Sequence, residues 1–245
     1  MSGPFHPTAS VYDIVYDHVD YAEHASVIER VIEERFPGAA SLLDVACGTG
    51  RHLALFRERF DHVEGSDVDP AMLQVARARL GDVPLHEADM RTIALGRRFD
   101  AVTCLFSSIG YMQTTEDLGR AMAAMASHLE PGGVLVVEPW LWPSMIESPG
   151  RIRHFVAEGE NVVVVRTARW LNAATALAEK VSRMEFAYLV TTDDGSDLRV
   201  ERHDMGLFTP DEYVAAVRDA GLAAAFDRDG TRMGRGLAIG VAPSC

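Results

Sequence analysis

The residues best suited to chemistry lie at the end of the first strand-like run, Leu43-Asp44-Val45-Ala46-Cys47-Gly48-Thr49-Gly50. Gly48 and Gly50 remove side chains and let the backbone approach a ligand closely. In a doubly wound sheet this is the first strand-to-helix turn, and ligands dock at the carboxyl ends of such strands. A dinucleotide fingerprint would place a third glycine where Leu53 stands, which argues against a pyrophosphate seated on the next helix. Asp44 opens the turn and would repel phosphate while suiting a cation. Asp67, in Gly65-Ser66-Asp67, stands where such folds offer a carboxylate to ribose hydroxyls. Asp89, in Ala88-Asp89-Met90-Arg91, is a further acid at a strand end. Three acids in step make an electronegative crevice, and a plain turn with no ligand would not require them.

S-adenosylmethionine, with a sulfonium, an ammonium, a ribose and no phosphate, matches that crevice. The chemistry would then be an in-line methyl transfer, to which a protein contributes proximity, orientation and a dry pocket. An amine acceptor must be neutral to attack, whereas an alkyl ammonium has a reference pKa of about 10.4. Tyr111 and Glu138 are the candidates for handling the acceptor. A phenol with a reference pKa of about 10 is a poor base, so Tyr111 suits orientation of the amine better than proton abstraction. Glu138 closes the fifth strand and could polarise or orient the substrate. Trp140 and Trp142 read as cavity wall. Arg183 and Arg235 are the candidates for binding phosphates, should the acceptor carry them.

Several segments resemble class I S-adenosylmethionine-dependent methyltransferases over nearly the whole chain. They are Leu42-Leu43-Asp44-Val45-Ala46-Cys47-Gly48-Thr49-Gly50, Phe99-Asp100-Ala101-Val102-Thr103-Cys104, Phe106-Ser107-Ser108-Ile109-Gly110, Val136-Val137-Glu138-Pro139-Trp140 and Gly234-Arg235-Gly236-Leu237. Together they are similar to one subgroup, the N,N-dimethyltransferases of nucleotide-linked 3-amino-deoxysugars in macrolide antibiotic biosynthesis, with the Phe-Ser-Ser-Ile-Gly and Glu-Pro-Trp segments the most specific. The resemblance implies that Ala46, Gly48 and Gly50 meet the methionine moiety, that Asp67 meets the ribose hydroxyls, and that Val68 lies beside the adenine. It implies that Asp89 contacts the adenine amino group and that Met90 packs on the ring. Tyr12-Asp13-Ile14-Val15-Tyr16 looks like the family's amino-terminal helix over the cofactor, with Tyr21 following it; Asp44 and Phe106 complete the cofactor set. Ser107, Ser108, Tyr111, Trp140, Arg183 and Arg235 form the acceptor set. Two departures stand out: Tyr111 occupies a position where the pattern has His, and Phe5-His6-Pro7 lacks the tyrosine that the pattern places before Tyr12.

These residues need a scaffold, and the hydrophobic pattern supplies one. Strands are expected at Ser41 to Ala46, His62 to Asp67, Pro84 to Ala88, Phe99 to Phe106 and Val134 to Glu138. Helices are expected at Thr49 to Phe60, from Asp69-Pro70 to Leu80, and from Glu116 to Leu129, the last stopped by Pro131-Gly132-Gly133. The fold class is α/β, a doubly wound, mostly parallel seven-stranded sheet covered on both faces, Rossmann-like in its winding. After Pro139 the rhythm changes to long β segments at Asn161 to Leu171, Leu177 to Thr192 and Leu198 to Leu207, with Asp193-Asp194-Gly195 as a hairpin turn. This antiparallel insert, at about residues 150–207, should wall the acceptor site within a single domain of residues 1–245. Thr209-Pro210-Asp211-Glu212 starts the last helix, Gly221 ends it, and Ala223 to Asp227 and Leu237 to Val241 complete the sheet.

Composition narrows the function classes. With 48% hydrophobic and 24% charged residues the 245-residue chain reads as an ordinary globular protein. Lys and Arg number 23 against 36 Asp and Glu, a net charge of −13 with no basic run, which disfavours nucleic acid and anionic membranes. No apolar stretch approaches a membrane span and the amino terminus lacks a secretory pattern, so a cytoplasmic location is expected. Cys47, Cys104 and Cys245 are too few for a disulfide framework, and the nine histidines show no paired metal spacing, so no metal is assigned. The expected partner is a small-molecule acceptor, a nucleotide-linked amino sugar; a homodimer stays open. The alternatives are an O- or N-methyltransferase of another metabolite, a nucleotide-dependent oxidoreductase, and a non-catalytic S-adenosylmethionine-binding regulator.

Overall fold

Short β-branched runs alternating with amphipathic helices place seven strands in one sheet, as seen in a computed structural model that describes residues 8–146, 152–230 and 234–244. The strands are β1 (Ser41–Val45), β2 (His62–Asp67), β3 (Leu85–Glu87), β4 (Phe99–Cys104), β5 (Leu129–Val137), β10 (Ala223–Asp227) and β11 (Leu237–Val241). They lie in the order β10-β11-β5-β4-β1-β2-β3, all parallel except the β11 pairings. The expected α/β class is the observed one. Because side chains alternate across a strand, Leu42 and Leu43 enter cores on opposite faces. Helices α2 (Tyr21–Glu33), α3 (Arg51–Phe56) and α4 (Pro70–Leu80) cover one face, through residues such as Ile28, Phe56 and Leu80. Helices α5 (Thr115–Ala126) and α7 (Pro210–Asp219) cover the other, through Met122, Tyr213 and Val217.

Local signals account for most helix ends. Asp69 accepts from the Ala71 amide at 2.9 Å with Pro70 in the first turn, and Thr209 and Glu212 form a reciprocal capping box. The Pro131-Gly132-Gly133 expectation needs correction. The helix has already ended at Ala126, and the three residues form a bulge inside β5, where pairing jumps from Leu129 to Val134. Gly132 supplies the required left-handed backbone at φ +79°, and a Cβ on Gly133 would crowd the Asp100 carbonyl at 3.0 Å.

The insert is a four-stranded antiparallel meander of β6 (Arg153–Gly159), β7 (Val162–Trp170), β8 (Val181–Thr192) and β9 (Gly195–Gly206). Strand β6 is additional to the expected set, and Leu177 sits in a helical turn, α6 (Ala176–Glu179), rather than a strand. Asp193 and Asp194 make the hairpin turn between Thr192 and Gly195. The inner face of the meander packs Ala157, Val164, Tyr188 and Val190 against Val11 and against Val15 of the short helix α1 (Tyr12–Val15). On its other side α1 is pinned to the glycine turn: Asp13 accepts from the Thr49 hydroxyl at 2.7 Å and from Arg79. Helix α1 is thereby clamped to both sheets. No helix among the described residues is long and apolar enough to cross a membrane.

Candidate active site

A cavity of about 370 Å³ opens at the carboxyl ends of β1, β2 and β4. The glycine turn forms its floor. Ala46 and Gly48 take left-handed backbone at φ 58° and 56°, and a Cβ on Gly48 would project into open space. Gly50, at φ +77°, does not line the cavity; a Cβ there would strike Leu80 at 2.7 Å and Ala76 at 3.3 Å. Its smallness seats α3 against α4.

The expected acids converge on this space. Asp44, only 2% exposed, accepts from the Thr103 hydroxyl at 2.8 Å, and burial pushes its pKa up to about 7. Asp67 accepts from the amides of Gly48 at 2.8 Å and Asp69 at 2.9 Å, and burial raises its pKa as well. Asp89 lines the wall, but its carboxylate is forked by Arg91 through Nε at 3.0 Å and Nη2 at 2.6 Å, which holds its pKa low. Tyr12, Tyr21, Val68, Met90 and Phe106 also line the cavity. These residues fit S-adenosylmethionine. Ionised Asp44 is expensive when buried alone and is relieved by a cation, while the space above Gly48 is open to a ligand.

After β4 the chain makes a tight turn, with Phe106 and Ser107 both left-handed at φ 55° and 68°. Glu138 is fully buried beneath that turn and does not line the cavity. Its carboxylate accepts from the Phe106 amide at 2.7 Å and lies 3.4 Å from His24 Nε2. His24 Nδ1 and His52 Nε2 share a hydrogen bond of 2.7 Å, and His52 reaches the cavity. Burial first, and His24 second, keep the His52 pKa well below its usual value. Glu138 therefore holds the turn.

Of the remaining expected acceptor residues, Ser108 and Tyr111 line the cavity, whereas Ser107, Trp140, Arg183 and Arg235 do not. Ser107 donates to the Pro139 carbonyl at 2.8 Å and accepts from Arg235. The Arg235 guanidinium lies 5.0 Å from the Trp140 ring centroid, and the Trp140 indole donates to the Ser182 hydroxyl at 2.9 Å. Arg183 is held by Glu179 and Asp204 and lines a shallower neighbouring depression that also touches Tyr111. Cys47 and Cys104 are buried thiols with raised pKa values, consistent with packing. The Phe5-His6-Pro7 departure and Cys245 lie outside the described residues.

Sequence reasoning missed the lining residues Thr49, Arg51 and His52, and Asp13 and Arg79 beside them. Arg51 stacks 4.3 Å from the Tyr21 ring centroid, fixing that wall. An acid within the aromatic run Tyr12 to Tyr16 was the available signal for Asp13, since it must meet a polar partner on burial.

A methyltransferase-domain profile matches residues 42–133. The chain is 43% identical to dTDP-3-amino-3,4,6-trideoxy-alpha-D-glucopyranose N,N-dimethyltransferase of Streptomyces venezuelae over 237 residues, covering 95% of this chain and 97% of that protein. It is 38% identical to dTDP-4-amino-2,3,4,6-tetradeoxy-D-glucose N,N-dimethyltransferase of Saccharopolyspora spinosa, covering 98% of each. Among solved structures, a S-adenosylmethionine-bound amino pentose methyltransferase from Micromonospora echinaspora superposes with a TM-score of 0.82 at 40% identity, covering 94% of this chain and 96% of that one.

Proposed function

The chain belongs to the S-adenosylmethionine-dependent N,N-dimethyltransferases of nucleotide-linked amino sugars, and from that premise we propose that it methylates the amino group of a dTDP-linked amino-deoxysugar in antibiotic biosynthesis. The observation that carries the reading is a single cavity lined both by the carboxylates Asp44, Asp67 and Asp89 and by Tyr111. When bound, S-adenosylmethionine supplies an activated methyl group whose carbon–sulfur electron pair stays on sulfur as the acceptor nitrogen takes the carbon. Asp67 would hold the ribose hydroxyls, Asp44 and the Gly48 backbone the charged methionine end, and Val68, Asp89 and Met90 the adenine. Tyr111 would accept a hydrogen bond from the amine and aim its lone pair. Incubation with dTDP-linked 3-amino and 4-amino sugars, followed by mass spectrometry, tests the proposal. One or two added methyl groups, each about 14 Da, are expected on a sugar nitrogen; methylation confined to hydroxyl acceptors would overturn it.

Cofactor affinity should depend on pH through Asp44. Its carboxyl is neutral below about 7 and ionised above, so affinity for a cationic ligand rises as pH passes upward through that value. Calorimetry across this range should show a slope that Asp44→Asn lacks; the comparison removes the ligand's own titrations. Equal slopes in both proteins would refute the assignment.

If the acceptor carries a diphosphate, Arg235 is less neutralised by ion pairs than Arg183 and is the stronger candidate to bind it. Arg183 already faces two carboxylates, whereas Arg235 contacts a hydroxyl and an aromatic ring. Arg235→Ala should raise the acceptor KM roughly tenfold to a hundredfold and leave cofactor affinity alone, with a smaller change in Arg183→Ala. A normal acceptor KM in both variants would exclude this pair from phosphate binding.

A further inference from the structure

Two of the insert's buried polar side chains stand behind Tyr111 without lining the cavity themselves. Glu201 and His203, 4% and 6% exposed, share the inner face of β9. The Tyr111 hydroxyl lies 2.7 Å from His203 Nδ1, and His203 Nε2 lies 3.4 Å from Glu201 Oε2. The other Glu201 oxygen accepts from the Thr8 hydroxyl at 2.7 Å. With its hydrogen on Nε2, toward the Glu201 carboxylate, the imidazole would accept the Tyr111 proton at Nδ1. The apolar cluster of Val11, Val15, Val164, Tyr188 and Val190 lies on the same face of the insert, and Phe186 packs edge-on to the imidazole at 5.0 Å. A carboxylate so placed costs several kcal/mol unless a cation can form beside it.

Building on the acceptor reading above, we propose that His203, backed by Glu201, receives through the Tyr111 hydroxyl the proton that the acceptor nitrogen gives up. The amine N–H bond breaks and its proton passes to the Tyr111 oxygen, while the Tyr111 proton passes to His203 Nδ1. Nitrogen keeps the electron pair of the broken bond, Tyr111 is regenerated unchanged, and the imidazolium sits against the Glu201 carboxylate until solvent takes the proton. Burial holds the Tyr111 pKa well above its usual value, so the phenol relays a proton without lingering as phenolate. This supplies what Tyr111 lacks as a base. His203 and Glu201 act through Tyr111 and touch no substrate themselves. Among the described residues, the charged and titratable groups around the imidazole include Tyr111 from the 3-10 turn Ser108–Tyr111, Glu201 on its own strand, Tyr188 on β8, Arg166 on β7 and Tyr16 beside α1.

The test combines imidazole titration by NMR in the cofactor-free protein with pH profiles of kcat/KM on a dTDP-amino sugar. In the wild type the acid limb of kcat/KM should coincide with the His203 titration. Glu201→Gln should move both to lower pH, since the imidazolium loses its counter-charge. His203→Gln keeps an acceptor near Tyr111 and should lower kcat/KM on the order of a hundredfold and abolish that limb. Tyr111→Phe should do the same, and the double variant should be no slower than either. A wild-type acid limb that persists in both single variants overturns the relay while turnover upholds the acceptor reading. Absence of methyl transfer to any amino sugar by the wild type overturns that reading and the relay with it.

Discussion

Replacing Asp67 with alanine should weaken binding of S-adenosylmethionine and S-adenosylhomocysteine on the order of a hundredfold, about 3 kcal/mol. The effect has two sources. A carboxylate facing two ribose hydroxyls makes charge-assisted hydrogen bonds, each stronger than a neutral one. The same carboxylate accepts the amides of Gly48 and Asp69, so its loss also frees the glycine turn that forms the cavity floor. Asp67→Asn keeps one oxygen for those amides and loses the charge, and should fall between the two. Calorimetry with both ligands reads the difference. Unchanged affinity in the alanine variant would remove Asp67 from the cofactor site.

Glu138→Ala should be among the most destabilising single changes in the protein. It leaves the Phe106 amide without its acceptor and buried His24 without the adjacent, fully buried carboxylate. Removing one member of such a buried arrangement costs roughly 3–5 kcal/mol. In a domain of this size each kcal/mol shifts Tm by about 2–4 °C, so a fall of roughly 10 °C is expected by differential scanning calorimetry. The left-handed pair Phe106 and Ser107 would lose its anchor, and acceptor KM should rise with the fall in Tm. Glu138→Gln retains an acceptor for the Phe106 amide and should melt closer to the wild type. An alanine variant that melts with the wild type would show that the turn is held by other contacts.

The sheet strands, the Asp69 and Thr209 caps and the Asp193-Asp194 turn were legible in the sequence because they depend on side-chain period and on hydrogen bonds spanning two or three residues. Asp44, Gly48, Asp67 and Asp89 were legible for a related reason: strand ends in a doubly wound sheet all open on one crevice, so reading the strands locates the acids. Tertiary structure decided the rest. Gly50 looked like part of a ligand cradle, yet the contact that requires its smallness is Leu80 on another helix. Glu138 sits at a strand end like the acids, but its direction was set by the buried turn that it holds. Sequence placed Tyr111 near the acceptor without a base, and its partner lies 92 residues away on the insert. Such pairings join segments with no shared period, and they arise only when packing of the insert against α1 brings β9 beside the β4 turn.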